Sequence, residues 1–193
     1  MIADLPPLPP LIQSPLPYEL RLEERPRSQI DLVVIHCTEL PDLAAARETG
    51  EQLIYESGTG NSGHFYIDRD GSVHQYVQVE RVAHHVRGFN PRAIGIELVN
   101  RGRYPNWLSA GGQAMPEPYT PAQIDALVAL LRHLQQELPS LKQIAGHEDL
   151  DTTRVQSSDN PAVEVQRKLD PGPGFPWDQV MRQTSLQRIQ PGL

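Results

Sequence analysis

Hydrophobic residues in this chain fall into unbroken runs, short runs parted by turn residues, and one stretch at helical spacing. Leu32, Val33, Val34 and Ile35 follow one another without a polar break and lead into His36 and Cys37. Such a β-branched run predicts a central strand buried on both faces, with His36 at its end. Ala93-Ile94-Gly95-Ile96-Glu97-Leu98-Val99 repeats the pattern with a single carboxylate, Glu97, between apolar neighbours. That local conflict with hydrophobicity calls for a functional reason. His64-Phe65-Tyr66-Ile67 and Val73-His74-Gln75-Tyr76-Val77 flank Asp70-Gly71, a pair that tolerates the positive φ of a tight turn, so a hairpin of two antiparallel strands is expected.

The clearest helix is predicted over 121–138. Thr120 can cap it, Pro121 suits the first helical position and Gln123 completes a capping box. Ile124, Leu127, Val128, Leu131, Leu134 and Leu138 fall on one face, and Pro139 stops the run. A shorter helix is expected within 44–55 and another from Trp177, and a short strand, 143–146, delivers His147 beside an acidic loop of Glu148, Asp149 and Asp151. Residues 100–119 read as a long surface loop carrying Tyr104 and Trp107. Residues 1–27, dense in proline, read as an arm outside the core that either hangs free or wraps the domain through Leu5, Leu8, Leu11 and Tyr18. Interleaved strands and helices with one hairpin give an α/β fold, a mixed central sheet packed by α-helices, with chemistry expected at the strand ends.

Length and charge narrow the functions. The 193 residues suit one hydrophobic core. A net charge of −7 without a basic stripe argues against nucleic acid as partner. Prolines interrupt every short Leu run near the start and no apolar stretch approaches membrane-spanning length, so no signal peptide and no membrane insertion are expected, with a cytoplasmic location as the default. Cys37, the single cysteine, excludes an intrachain disulfide and a cysteine-only metal site.

Chemistry must therefore come from His and carboxylates. His36 and His147 each end an apolar strand, where two side chains at the rim of a sheet could share one metal. A catalytic zinc takes about three protein ligands and leaves a position for water; Asp170, in a proline-glycine turn, would be the third. A histidine at a strand end is equally a hydrogen-bonded core residue, and spacing alone leaves both readings open. His147-Glu148 is not followed by a second His at helical spacing, so any metal site is split along the chain. Cys37 and His36 are strand neighbours pointing to opposite faces and form no dyad. No Gly-x-Ser-x-Gly elbow is present for serine hydrolysis.

Five segments taken in order change the reading: Val33-Val34-Ile35-His36, the stretch from Gly63-His64-Phe65-Tyr66 through Asp70-Gly71, Ile94-Gly95-Ile96-Glu97, Gly146-His147, and Lys168-Leu169-Asp170-Pro171-Gly172-Pro173. Together they resemble the N-acetylmuramoyl-L-alanine amidase type 2 family, over about residues 30–180. The resemblance implies a catalytic domain over 28–193 that uses zinc to hydrolyse the amide between N-acetylmuramic acid and L-alanine in a muropeptide, including the 1,6-anhydro form. It implies His36, His147 and Asp170 as zinc ligands, Glu97 as general base and Lys168 as the charge that steadies the oxyanion. Arg81-Val82-Ala83-His84 is similar to a family segment near the metal in which Trp commonly takes the place of Ala83, so His84 is a substrate-contact candidate, with His85 as the alternative. His64 is expected to be structural, bonded to the loop before it. Asn100, Arg101 and Trp107 are expected in a loop lining the substrate groove. The 23 positions from His147 to Asp170 make a longer excursion than in compact family members, expected to shape substrate choice or lie over the cleft. A second reading of the same resemblance is a recognition module that binds peptidoglycan without cutting it.

Overall fold

The computed structural model describes residues 7–190. Its sheet has seven strands in the order β1 (Leu11–Gln13), β4 (Val73–Gln75), β3 (Phe65–Ile67), β5 (Ala93–Leu98), β2 (Leu32–Cys37), β6 (Gln143–Gly146) and β9 (Gln187–Arg188). From β3 to β9 the pairings are parallel, whereas β4 runs antiparallel to β3 and parallel to β1. β2, hydrogen-bonded on both sides, has all six residues buried. That is the unbroken apolar run of the sequence put to use.

Alternation then divides the sheet into two faces. Val33, Ile35, Ile94, Ile96, Leu98, Phe65 and Ile67 share one cluster with Leu127, Leu130, Leu131 and Leu134 of helix α2 (Pro121–Glu137). Leu32, Val34, Ala93 and Ala145 face the other way, under Val86. α2 begins as its sequence predicts: Thr120 Oγ1 accepts from Gln123 N at 3.1 Å, and Gln123 Oε1 accepts from Thr120 N at 3.1 Å. Gln123 Nε2 also donates to the carbonyl of Val99 at 2.9 Å, so the cap ties the helix to the sheet.

The β3–β4 hairpin turns at Gly71, whose φ of +86° places it in the left-handed region open to glycine. Its second strand ends at Gln75 rather than Val77, because the amides of Tyr76 and Val77 both turn to the single carbonyl of His64 and end the ladder. Helix α1 spans Leu43–Glu51 and α4 spans Trp177–Met181.

One open choice is decided and two expectations are corrected. The proline-rich segment, from residue 7 onward, wraps the domain rather than hanging free: β1 adds to the sheet edge, Leu8 and Leu11 pack against the core, and Leu16, Tyr18 and Leu22 are buried with Tyr66 and Tyr76. Arg25 is buried too, donating to the carbonyls of Val79, Asn90 and Ala93 at 2.8–2.9 Å. Leu5 lies outside the described residues. His147 opens a short helix, α3 (His147–Leu150), rather than an acidic loop; Asp149 Oδ2 accepts from Gly146 N at 2.8 Å and fixes the turn from strand to helix. The excursion toward Asp170 is also no plain loop, since β7 (Arg154–Gln156) and β8 (Glu164–Gln166) pair antiparallel within it.

Candidate metal centre and its cleft

Strand register brings the candidate residues together. His36 lies opposite Glu97, and Glu97 lies opposite Tyr66, so three side chains stand in one row across β2, β5 and β3 on the face turned away from α2. β6 ends at Gly146, opposite Ile35, and the next residue, His147, stands beside His36 with ring centroids 4.7 Å apart. All lie at the carboxyl ends of parallel strands, where open α/β sheets bind ligands. Asp170 arrives from the turn after β8, whose next carbonyl, that of Pro171, accepts from Tyr119 Oη at 2.7 Å.

Asp170 Oδ2 lies 2.9 Å from His36 Nδ1 and 3.2 Å from His147 Nδ1. One ligand atom from each of the three residues fits within a span of 4.8 Å. Donors about 2.0–2.2 Å from a tetrahedral zinc sit at nearly these separations from one another. The three side chains are 3–5% exposed, too dry for charged groups without compensation. The other carboxylate oxygen, Asp170 Oδ1, is buried with no hydrogen-bond partner, which suits a cation-ligating carboxylate. Burial lowers the pKa of His36 to about 4, against the hydrogen bond to Asp170, so the ring is neutral and holds a lone pair. For Asp170 burial acts upward, but the His147 and His36 rings beside its carboxylate prevail and hold it well below the usual carboxylate range. Two imidazoles and one carboxylate are a fitting donor set for zinc.

Glu97 stands beside the set, with Oε1 4.0 Å from His36 Nδ1 and its side chain 14% exposed, open to the cleft. Burial, and then the charge of Asp170, raise its pKa to about 8, partly offset by Lys168. Lys168 lines the same cleft, which encloses about 540 Å³.

The other candidates divide. His84 and Trp107 line the cleft: His84 meets the ring of Tyr55 edge-on at 4.9 Å, and Trp107 Nε1 donates to the carbonyl of Glu39 at 3.0 Å. Asn100 and Arg101 do not. Asn100 is buried and bonded to its own loop, accepting from Gly102 N at 2.8 Å and donating to the Glu117 carbonyl at 3.1 Å. The Arg101 guanidinium lies 5.6 Å over the Tyr104 ring, away from the cleft walls. His64 is structural through other partners than expected: Nδ1 accepts from Gly95 N at 3.0 Å and Nε2 faces the Arg81 carbonyl at 3.0 Å, both off the loop before it. His85, the alternative to His84, also lines the cleft, with Nδ1 3.0 Å from His36 Nε2.

Sequence reasoning missed a buried ion pair at the rim. Arg103 grips Glu39 with Nε to Oε1 at 2.6 Å and Nη2 to Oε2 at 2.9 Å. The same guanidinium donates to the carbonyls of Gln166 and Arg167, just before Lys168. Residues 100–119 are thus anchored inward at Arg103, not confined to the surface. Nothing in the local pattern pairs Glu39 with a residue so far along the chain. Tyr66 was read only as part of a strand; its row with Glu97 becomes visible once the register is known.

A buried pair of histidines and an aspartate, a carboxylate alongside and an open cleft, gathered at one end of a mainly parallel sheet, give an α/β protein with a candidate site for a single metal ion. The chain belongs to the N-acetylmuramoyl-L-alanine amidase family, whose model matches residues 26–173. It is 37% identical over 94 residues to N-acetylmuramoyl-L-alanine amidase AmiD of Escherichia coli (strain K12), covering 49% of this chain and 28% of that one. It is 32% identical over 120 residues to 1,6-anhydro-N-acetylmuramyl-L-alanine amidase AmpD of Enterobacter cloacae, covering 58% of this chain and 50% of that one. The chain therefore spans half or less of these two curated relatives. Among solved structures, AmiD from E. coli in complex with the substrate anhydro-N-acetylmuramic acid-L-Ala-D-gamma-Glu-L-Lys superposes with a TM-score of 0.61 at 26% identity, over 80% of this chain and 57% of that one.

Proposed function

We propose that the chain hydrolyses the amide bond between the lactyl group of N-acetylmuramic acid and the L-alanine of a stem peptide in peptidoglycan fragments. The observation that carries this reading is the convergence of His36, His147 and Asp170 in one buried cluster with Glu97 beside it. His36, His147 and Asp170 are the proposed zinc ligands, and zinc, when bound, supplies a Lewis acid that makes water nucleophilic near neutral pH.

Glu97 is the proton carrier. Its carboxylate takes a proton from the attacking water and returns it to the amide nitrogen as the C–N bond breaks, releasing a carboxylic acid and an amine. Lys168, in the same cleft, sets a positive charge against the oxyanion of the tetrahedral intermediate. His84 and Trp107 contact the sugar-peptide from the cleft walls. The anhydro sugar bound in the AmiD complex, together with the likeness to AmpD, supports extending the substrate class to the 1,6-anhydro form and the role to wall-fragment recycling.

The test is peptide release from purified muropeptides carrying anhydro or reduced sugar, with chelator and with zinc added back. Cleavage at the lactyl amide that chelation abolishes and zinc restores is the expected result, and faster cleavage of the anhydro form supports recycling. Zinc and muropeptide binding without cleavage of either form would instead make the chain a recognition module.

A further inference from the structure

The proposed mechanism uses one nitrogen of His36; the other is also occupied. Nδ1 faces Asp170, while Nε2, on the far side of the ring, lies 3.0 Å from Nδ1 of His85. The two rings cross at 87° with centroids 5.1 Å apart. Beyond them, Nε2 of His85 lies 3.5 Å from the backbone carbonyl of Ala93.

We propose that His85 is a positioning residue that holds His36 in its metal-binding tautomer through a hydrogen-bond chain anchored on the peptide backbone. The chain has one direction because its last member, a carbonyl oxygen, only accepts. The His85 proton therefore sits on Nε2, which leaves a lone pair on its Nδ1. That lone pair accepts from Nε2–H of His36 once a cation occupies Nδ1 of His36; in the zinc-free ring the Asp170 carboxylate, 2.9 Å from Nδ1, favours a proton there instead. The inference rests on the reading of His36 as a metal ligand. Ligand histidines commonly donate their second N–H to a carboxylate, a carbonyl or water; here an imidazole stands between ligand and carbonyl. An imidazole orients His36 without adding negative charge to a pocket that already holds Asp170 and Glu97.

The surroundings are built for this ring. Asn90 Oδ1 accepts from His85 N at 3.0 Å and from Val86 N at 2.7 Å, clamping the backbone that carries it. Below the ring lies Gly95 of β5, where a Cβ would come within 2.7 Å of His85 Cγ and Nδ1. Bare backbone at Gly95 is what lets the imidazole lie flat against the strand beside His36. The sequence holds Gly95 inside an otherwise β-branched strand, a position where glycine marks close approach of another group.

Nitrogen-15 spectra of the histidine rings in the intact zinc-loaded protein test the chain directly. A protonated Nε2 on both His36 and His85, with a bare Nδ1 on His85, is expected; a protonated Nδ1 on His85 overturns the proposal. Zinc affinity by chelator competition tests the consequence. His85→Phe, which fills the space without an acceptor, should weaken zinc binding about tenfold to a hundredfold. His85→Gln, whose amide oxygen can accept from His36, should recover most of it, with circular dichroism checking that each variant is folded. A folded His85→Phe protein with wild-type zinc affinity would also overturn the proposal. The two readings fail separately: the zinc-loaded spectrum decides the hydrogen-bond chain, while failure of the wild type to bind zinc at all sinks the metal reading of the site.

Discussion

On the helix-covered face of the central sheet, Val33, Ile35, Ile94, Ile96 and Leu98 meet the leucines of α2 and exclude every charged group. One residue along, on the opposite face, Leu32 and Val34 give way to His36, Ala93 and Gly95 give way to Glu97, and Ala145 is followed within two positions by His147. The same strands, by alternation alone, carry both arrangements. The first face lowers the free energy of the fold, and the second holds partly dehydrated ionisable groups that cost stability. The strands tolerate the second because the first is so fully apolar.

The largest expected effect breaks the second face chemically while leaving the first alone. Glu97→Gln should lower the hydrolysis rate by about 10²–10⁴-fold, the usual worth of a proton carrier, with zinc still bound, as read by peptide release and metal analysis. The same variant sharpens the contrast in stability. A carboxyl raised to about 8 in the fold, above its unfolded value, binds a proton more readily folded than unfolded, so its contribution is lost as pH rises through that window. Zinc-free Glu97→Gln should accordingly be more stable than wild type at pH 7 by about 1–3 kcal/mol in urea melts.

Leu127→Ala attacks the first face. Fully buried against the sheet, Leu127 should cost about 2–5 kcal/mol when truncated, with zinc affinity and turnover of the folded fraction unchanged. A smaller effect follows from His64, on the site face, whose pKa is lowered to about 3 by burial and by Arg25. Its unfolded value is higher, so the unfolded chain takes up the proton first. Stability should fall by about 1.4 kcal/mol per pH unit as pH drops below roughly 6.5, and His64→Phe should flatten that slope in denaturant titrations. The smallest effect is Thr120→Ala, which removes the α2 cap and should cost about 1 kcal/mol with no change in catalysis, by thermal melting.

How much of this was legible in the sequence depends on the range of the physics involved. The α2 cap, its apolar stripe, the buried run of β2 and the turn at Gly71 are local, and each was visible in a window of a few residues. The row of His36, Glu97 and Tyr66 depends on register between distant strands, so Glu97 showed only as a charge out of place and Tyr66 not at all. Asp170 stood out only as a third ligand candidate in a proline-glycine turn, and resemblance, rather than pattern, singled out Lys168. The proline-rich segment stayed open between a free tail and a wrap because proline density speaks against regular structure but not against burial: Leu16, Tyr18 and Leu22 need only apolar partners, and Arg25 needs only carbonyls. Asn100 and Arg101 misled, since polar residues following a catalytic strand served to shape their own loop.

The guanidinium of Arg103 joins three stretches of chain that are far apart in sequence: the bend at Glu39, its own loop, and the carbonyls of Gln166 and Arg167. Ser158 N to the Leu108 carbonyl at 2.8 Å and Ala110 N to Asp159 at 2.7 Å fasten the β7–β8 hairpin to that same loop. The rim of the cleft is therefore one cooperative unit rather than two independent flaps. Its amides at Arg103, Ala110, Ser158 and Arg167 share a single opening event, and in deuterated solvent they exchange on one common clock.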